Sequence, residues 1–220
     1  MTTPIFSDDL DAAPASATAS SSSSSPAARD AAADRTLLRA VLALGVGGFA
    51  LGTGEFVIMG LLPEVAKDIG VSIPQAGHVI SAYAVGVVLG APLLAVLAAG
   101  WRRRTLLIAL MAVFALGNFA SALAPGYLSL NLMRFLTGLP HGTYFGVAAL
   151  VAASLAPPGK RARAVGLVML GLTGATLVGV PIAAWLGQEY GWRAAFVFVG
   201  AIALLALLVV ALQSLRMRRD

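Results

Sequence analysis

Six long runs of apolar residues, separated by short charged or helix-breaking segments, constrain the fold of this chain more than any other feature. A bilayer core about 30 Å thick requires roughly 20 apolar residues per helix, and each run meets that length. Lipid offers no partner to backbone polar groups, so such a run has to form a helix. The sequence therefore predicts an all-α membrane protein with transmembrane helices at approximately residues 40–62, 74–99, 105–124, 127–154, 163–187 and 194–214.

The composition agrees with this prediction. The chain is 59% hydrophobic and 11% charged, which is more apolar surface than a soluble protein of 220 residues can cover. The formal net charge of +5 comes from short clusters between uncharged runs rather than from one basic face, so we expect no nucleic-acid partner. The chain has no cysteine and only two histidines, so we expect no disulfide, no metal site and no cofactor.

The two ends of the chain differ from the apolar runs. Residues 1–36 are rich in Ser and Ala and poor in large apolar side chains, which predicts a disordered cytoplasmic tail. Residues 37–215 form the predicted transmembrane domain. Residues 216–220, with the sequence RMRRD, look like the start of a cytoplasmic loop.

The distribution of lysine and arginine predicts the orientation in the membrane. Basic residues concentrate in the cytoplasmic loops of membrane proteins. One side of the predicted bundle carries Arg29, Arg35, Arg39, Arg102, Arg103, Arg104, Lys160, Arg161, Arg163, Arg216, Arg218 and Arg219, and the other side carries only Lys67 and Arg193. We therefore expect a multi-pass protein of a bacterial inner membrane with both termini in the cytoplasm.

Two segments of the chain resemble each other. VLGAPLLAVLAAGWR (residues 88–102) and LVGVPIAAWLGQEYGWR (residues 177–193) share a Gly-x-Pro step and a terminal Gly-Trp-Arg. The first Gly-Trp-Arg falls on the predicted cytoplasmic side and the second on the outer side. This pattern predicts two three-helix units of opposite orientation, the inverted repeat of many secondary transporters.

Four segments carry a family resemblance: GTGEFVIMGLLPEVAKDIGVSIPQAGHVISAYAVGVVLGAP, LMRFLTGLPHGTYFG, APPGKRARAVGLV and GVPIAAWLGQEYGWRAAF. They resemble the N-terminal half of a major facilitator superfamily transporter. Within that superfamily they resemble the drug:proton antiporter branch, which includes arabinose, purine-nucleoside and chloramphenicol exporters. The resemblance implies a cavity lined by helices 1 and 4, with helices 2 and 5 facing the other half of the transporter.

The resemblance also points to a cytoplasmic gating loop between helices 2 and 3. Arg103 and Arg104 match the basic pair of the family motif, whereas Ala99 stands where the family has an aspartate. An anchor of positive charge at the cytoplasmic face explains these arginines equally well.

Two further motifs lie in helices 4 and 5. Arg134 and Gly138 match the helix 4 motif, with Thr137 in place of a glutamine, and the resemblance implies that Arg134 takes part in proton coupling. The antiporter-like motif of helix 5 is matched by Gly171, Gly174, Gly179 and Pro181. Close helix packing is an alternative explanation for these glycines.

Glu55 is the only charged residue between positions 41 and 62. A charge at a helix centre costs roughly 2.5–3.5 kcal/mol, so such residues usually face a cavity or a partner. Gly45, Gly48 and Gly52 precede it on nearly the same face, which suggests one wall of a wet cavity. A structural role, with Glu55 bonding the end of a neighbouring helix, is the alternative.

Arg134, Thr137 and His141 complete the predicted proton and substrate cavity. Arg134 is the other charge well inside a predicted helix, and His141 follows it by seven residues, or about two turns. Histidine changes charge near neutral pH, although a membrane histidine also serves as a simple bond to a backbone carbonyl.

These observations predict a proton-coupled exporter of small organic molecules, of drug, sugar or nucleoside class, and no enzyme. The chain contains neither the Gly-x-Ser-Gly of an intramembrane protease nor a Walker nucleotide motif. The expected partners are membrane lipid, protons, the substrate, and either a missing C-terminal half or a second copy. We favour a truncated chain, because helices 2 and 5 would otherwise turn glycine-rich faces to lipid. A non-transporting assembly or regulatory protein is the alternative.

Overall fold

The computed structural model describes residues 26–216, with side chains from residue 34 to residue 212. Its helices are Pro26–Phe56, Leu62–Ile69, Ile73–Ala76, His78–Leu97, Arg103–Ala122, Tyr127–Leu155, Arg161–Gly174, Val180–Tyr190 and Trp192–Arg216, with a 3₁₀ helix at Val57–Leu61 and a π-helix at Ala175–Gly179. Six segments are long and apolar enough to cross a membrane, and we name them spans 1 to 6: Asp34–Ile69, Ile73–Leu97, Arg103–Ala122, Tyr127–Leu155, Arg161–Tyr190 and Trp192–Leu212. The predicted six-helix all-α fold is confirmed.

The first helix begins earlier than the sequence predicted. It starts at Pro26, so residues 26–36 are helical and do not belong to a disordered tail. This stretch is rich in Ala and Arg, which are strong helix formers, and it continues a long apolar helix. The prediction of disorder for residues 1–25 lies outside the described residues, as do residues 217–220.

Two spans change helix type near a proline. In span 1 the 3₁₀ turn at Val57–Leu61 ends two residues before Pro63, and in span 5 the π-helix at Ala175–Gly179 ends two residues before Pro181. Proline donates no backbone hydrogen bond and its ring collides with the carbonyl four residues earlier, so the preceding turn adjusts. Both spans are also longer than the sequence predicted, at Asp34–Ile69 and Arg161–Tyr190.

The spans pack in pairs through glycines. Span 2 packs along span 4, where a Cβ atom on Gly90 would collide with the carbonyl oxygen of Leu139. Span 1 packs along span 5, where a Cβ atom on Gly179 would collide with the hydroxyl of Thr53. Absence of a side chain at both positions lets the helix backbones approach closely.

This pairing agrees with the inverted repeat. Gly90 and Gly179 occupy the same place in the two similar segments, and each makes the close approach of its own unit. In an inverted repeat, spans 1, 2 and 3 correspond to spans 4, 5 and 6, so the contact between spans 2 and 4 corresponds to the contact between spans 5 and 1. The contact between spans 3 and 4 likewise corresponds to the contact between spans 6 and 1. All four contacts occur in the structure. The bundle is therefore built as a 3+3 inverted repeat.

The glycines of spans 2 and 5 do not form exposed faces, contrary to the sequence-based expectation. Gly86, Gly90, Gly171 and Gly179 all lie against a neighbouring span of the same chain. What spans 2 and 5 expose is large apolar side chains: Val85, Val88, Leu89, Leu93, Val96 and Leu97 in span 2, and Leu167, Leu170, Leu177, Val178, Ile182 and Trp185 in span 5. The truncation argument from exposed glycine is therefore wrong.

A polar cluster joins three spans at the end of the bundle opposite Arg102. Arg193 forms an ion pair with Asp68 and donates to the carbonyl of Ala124 at 3.2 Å. The indole nitrogen of Trp192 donates to the same Asp68 carboxylate at 3.0 Å. These contacts hold the ends of spans 1, 3 and 6 together.

Candidate functional site

Glu55 lies in span 1, one residue before its helix changes to a 3₁₀ turn. Its side chain is 29% exposed, so the carboxylate is partly withdrawn into the bundle. Its Oε2 atom lies 3.6 Å from Nε2 of His141 in span 4. This distance is within ion-pair range and longer than a direct hydrogen bond, so a water molecule or a small side-chain movement is enough to join the two groups.

His141 connects Glu55 to span 2. Its Nδ1 atom lies 2.8 Å from the hydroxyl oxygen of Tyr83, which is buried. When the tyrosine donates to Nδ1, the single proton of neutral histidine is on Nε2 and faces the carboxylate. The three side chains therefore form a polar chain, Glu55–His141–Tyr83, that crosses spans 1, 4 and 2.

Arg134 lies beside this chain and is completely buried. Its Nη2 atom donates to the carbonyl oxygen of Gly54 at 3.0 Å, and its guanidinium carbon lies 4.3 Å from the centroid of the Tyr83 ring. The ring of Phe196 lies on it as well, at 5.4 Å. Aromatic faces attract a cation, and this attraction increases in a site without water.

Arg134 keeps unused hydrogen-bonding capacity. Among the described residues, its Nε and Nη1 atoms have no hydrogen-bond partner although both are buried. Buried donors without partners are unfavourable and are uncommon outside functional sites. The guanidinium can therefore accept a further negative or polar group without losing its bond to Gly54.

Close packing of spans 2 and 4 positions these side chains. A Cβ atom on Gly138 would collide with the carbonyl oxygen of Tyr83, so the two backbones touch at this level. Arg134 and His141 are two helical turns apart on one face of span 4. Tyr83 reaches between them, with its ring on the arginine and its hydroxyl on the histidine.

Thr137 is not part of this cluster. Its hydroxyl donates to the carbonyl of Met133 at 2.6 Å, and its side chain lies against Gly117 of span 3. The residue is buried and fills the contact between spans 3 and 4. Of the four residues expected at the cavity, Glu55, Arg134 and His141 come together and Thr137 does not.

The glycine face of span 1 lines no polar cavity, although Gly45 borders an apolar groove between spans 1, 5 and 6. Gly45 and Gly52 lie nearest to Leu167 and Leu172 of span 5. Gly48 lies between the ring of Phe145 in span 4 and the carbonyl of Val168 in span 5. Small residues here serve helix packing. The expectation of a wet wall on this face is therefore wrong, and Glu55 turns toward span 4 instead.

The motif glycines of span 5 form the other side of the same contact. A Cβ atom on Gly171 would collide with the carbonyl of Gly45, and one on Gly174 would lie 3.6 Å from the ring of Phe49. Pro181 is exposed. The structure places the glycines in helix packing and Pro181 just after the π-helix of span 5.

The two arginines of the expected gating loop have different surroundings. Arg104 donates to the carbonyl of Ala211 at 3.2 Å and so ties the start of span 3 to the end of span 6. Arg103 is exposed and borders a groove with Trp101.

Sequence reasoning missed Tyr83 and Asn118. Asn118 is fully buried in span 3, where its amide nitrogen donates to the carbonyl of Phe114 at 2.8 Å and its Oδ1 atom has no partner among the described residues. It lies beside Gly54. A polar amide in the middle of an apolar run was the signal for Asn118, whereas a tyrosine in such a run gives no comparable signal. In the described part of the chain, no three His, Cys, Asp or Glu side chains gather into a metal-binding group.

Comparison with known proteins places these residues in a wider context. Residues 44–219 match the family described as Major Facilitator Superfamily. The inner membrane transport protein YdhP of Escherichia coli K12 is 50% identical over 167 residues, which are 76% of this chain and 43% of YdhP. A chloramphenicol resistance protein of Streptomyces lividans is 39% identical over 153 residues, which are 70% of this chain and 39% of that protein.

A solved structure shows the same fold. The proton:xylose symporter XylE superposes on 81% of this chain and 45% of its own length, with a TM-score of 0.74 and 18% sequence identity. The chain thus spans less than half the length of the relatives that it matches.

Proposed function

Because the chain belongs to the Major Facilitator Superfamily, we propose that it forms one six-helix half of a proton-coupled transporter that exports small organic molecules. The family match covers residues 44–219, so the resemblance found in the sequence is confirmed, and it is a resemblance to transporters rather than to enzymes. The names of two relatives, an inner membrane transport protein and a chloramphenicol resistance protein, support an inner-membrane exporter, and the second name favours the drug class among the drug, sugar and nucleoside classes.

The polar chain Glu55–His141–Tyr83 beside buried Arg134 is the observation that carries the proposal. Ionisable groups inside membrane spans are costly, and those that persist usually serve ion or substrate pathways. Here three of them, with a tyrosine, come from three different spans and meet at one place. A purely structural glutamate would need only one partner.

In the proposed cycle, Glu55 carries the proton. As a carboxylate it attracts both His141 and the guanidinium of Arg134, whose charge acts on it across the cluster. The carboxylate and the two donors of Arg134 that have no protein partner together offer polar contacts to a substrate, and protonation of Glu55 removes the carboxylate from that set. Proton and substrate then compete for the same cluster, which is the requirement for exchange of one against the other.

His141 and Tyr83 extend the path of the proton. A histidine that receives a proton from one side can release one on the other, because its two ring nitrogens exchange donor and acceptor roles. When Tyr83 donates to Nδ1 from the buried side, the proton on Nε2 faces Glu55, and it can pass to the carboxylate as Nδ1 receives a proton from the buried side.

A complete transporter needs a second half, and we place it on the exposed apolar residues of span 2 and on Leu177, Val178, Ile182 and Trp185 of span 5, outside the part of span 5 that contains Leu167 and Leu170. This partner is a C-terminal six-helix half or a second copy. With the basic ends of the spans in the cytoplasm, Arg104 and Arg103 lie at the cytoplasmic side, where Arg104 steadies spans 3 and 6.

Coexpression tests the transport function. The chain is produced alone and together with the part of YdhP that it does not match, in cells lacking their own exporters, and accumulation of radiolabelled chloramphenicol, arabinose or a purine nucleoside is measured. We expect the combination to lower accumulation of at least one probe, and a protonophore to abolish the effect. Normal membrane levels with no change for any probe would contradict export, and efflux insensitive to the protonophore would contradict proton coupling.

A further inference from the structure

A long apolar groove lies between spans 1, 5 and 6, away from the polar cluster. Its volume is about 570 Å³, and its lining residues are Leu, Val, Ile, Phe and Gly only. Span 1 contributes residues from Leu38 to Phe49. At about 1.5 Å per residue this stretch is roughly 16 Å long, close to half of a 30 Å bilayer core. The groove therefore has the length of one leaflet's hydrocarbon.

A basic pocket adjoins the groove at one end. Its volume is about 200 Å³, and Leu38 and Leu167 line both spaces, so the two are continuous. Lys160 and Arg163 line the pocket, together with the carboxylate of Asp34. All three side chains are exposed, at the end of the bundle where spans 1 and 5 begin.

We propose that this groove and pocket bind one molecule of phosphatidylglycerol. Lys160 and Arg163 contact the phosphate, the Asp34 carboxylate accepts hydrogen bonds from the glycerol hydroxyls, and one acyl chain lies in the groove. The excess of one positive charge in the pocket matches the single negative charge of this lipid. The groove offers no polar side chain for a substrate to bond, which favours an acyl chain as its occupant.

This inference adds a lipid-binding site to the chain, and it depends on neither the proton path nor export. The groove involves spans 1, 5 and 6, whereas the polar cluster involves spans 1, 2 and 4. A lipid held there would contact the packed pair of spans 1 and 5 along the half nearest the basic end.

Native mass spectrometry of the purified full chain tests the proposal. The chain in detergent is mixed with equal amounts of phosphatidylglycerol and phosphatidylcholine carrying identical acyl chains. We expect one phosphatidylglycerol to be retained at least tenfold more than phosphatidylcholine, since each basic contact near the membrane surface favours an anionic lipid. Equal retention of the two lipids would overturn the proposal.

Two pairs of variants separate the site from general attraction. The double variant Lys160→Gln/Arg163→Gln should lower phosphatidylglycerol retention about tenfold, while Lys67→Gln/Arg102→Gln, with the same change in charge, should not. Leu42→Trp should fill the groove and lower retention, while Leu116→Trp on the exposed face of span 3 should leave it unchanged. Equal losses in a variant and its control would contradict a defined site.

Discussion

The guanidinium of Arg134 donates a hydrogen bond to the carbonyl oxygen of Gly54, at an Nη2–O distance of 3.0 Å. This bond joins span 4 to the residue that precedes Glu55 in span 1. This bond holds the charge of Arg134 close to the carboxylate of Glu55. Because its acceptor is a backbone carbonyl, a side-chain substitution in span 1 does not remove the acceptor. Proton coupling in the proposed cycle depends on this placement.

Replacement Arg134→Lys tests the requirement for a guanidinium. Lysine keeps the charge but cannot stack a planar group on Tyr83 while it bonds to Gly54. We expect efflux to fall at least tenfold with unchanged protein in the membrane, measured by transport in inverted vesicles. Arg102→Lys, at an exposed position, is the control and should transport normally. Full activity of Arg134→Lys would show that any positive charge suffices.

Replacement Tyr83→Phe tests the buried end of the polar chain. Phenylalanine keeps the ring on Arg134 but removes the hydroxyl that lies 2.8 Å from His141. We expect slower substrate-driven proton release with little change in substrate affinity, because only the orientation of the imidazole is lost.

The control for that variant is Tyr144→Phe, which removes another buried hydroxyl, bonded to the carbonyl of Leu44 at 2.8 Å. Each variant should lower the free energy of unfolding by about 0.5–1.5 kcal/mol, the net value of one hydrogen bond. Only Tyr83→Phe should slow proton release. Equal proton kinetics in the two variants would exclude Tyr83 from the path.

Replacement Gly90→Ala tests the close contact of spans 2 and 4. The added methyl group meets the backbone carbonyl of Leu139, which cannot move aside without displacing span 4. We expect a loss of about 1–3 kcal/mol in stability, typical of overpacking, measured as a lower midpoint in thermal unfolding. Gly166→Ala, in a helix of span 5 with open space around it, should be neutral or slightly stabilising. Equal midpoints for the two variants would contradict the contact.

Cysteine cross-linking tests the proposed partner face. The chain suits this method because it contains no native cysteine. Val96→Cys and Leu177→Cys place thiols on exposed positions of spans 2 and 5, and Leu116→Cys places one on span 3. We expect cross-links to the second half or second copy from spans 2 and 5 only. Cross-linking from span 3 alone would move the interface to another face.

Most of the fold follows from the sequence because the length and apolarity of each span are local properties. The contact partners of a span are not local, so the sequence predicts a wet cavity at Gly45, Gly48 and Gly52, although these residues pack on spans 4 and 5. The same limit explains Thr137, whose residue type suits a cavity while its neighbour is Gly117.

The candidate site was partly predictable for a related reason. Glu55 and Arg134 interrupt apolar runs with a charge, a signal that a single sequence shows clearly. Tyr83 carries no charge and suits both lipid and a polar site, so its role emerges only when spans 2 and 4 are seen in contact. Helix type at Pro63 and Pro181 also required the structure, because a proline permits a kink, a 3₁₀ turn or a π-helix.

Substrate-driven proton release by Glu55→Gln tests the central claim most directly. Glutamine has nearly the shape of the glutamate and cannot carry a proton, and Glu189→Gln, at an exposed position, is the matched control. In vesicles that contain the assembled transporter, we predict that Glu55→Gln releases no protons when substrate is added, while Glu189→Gln behaves as the unmodified protein. Proton release by Glu55→Gln at the normal rate would contradict the account and remove Glu55 from the proton path.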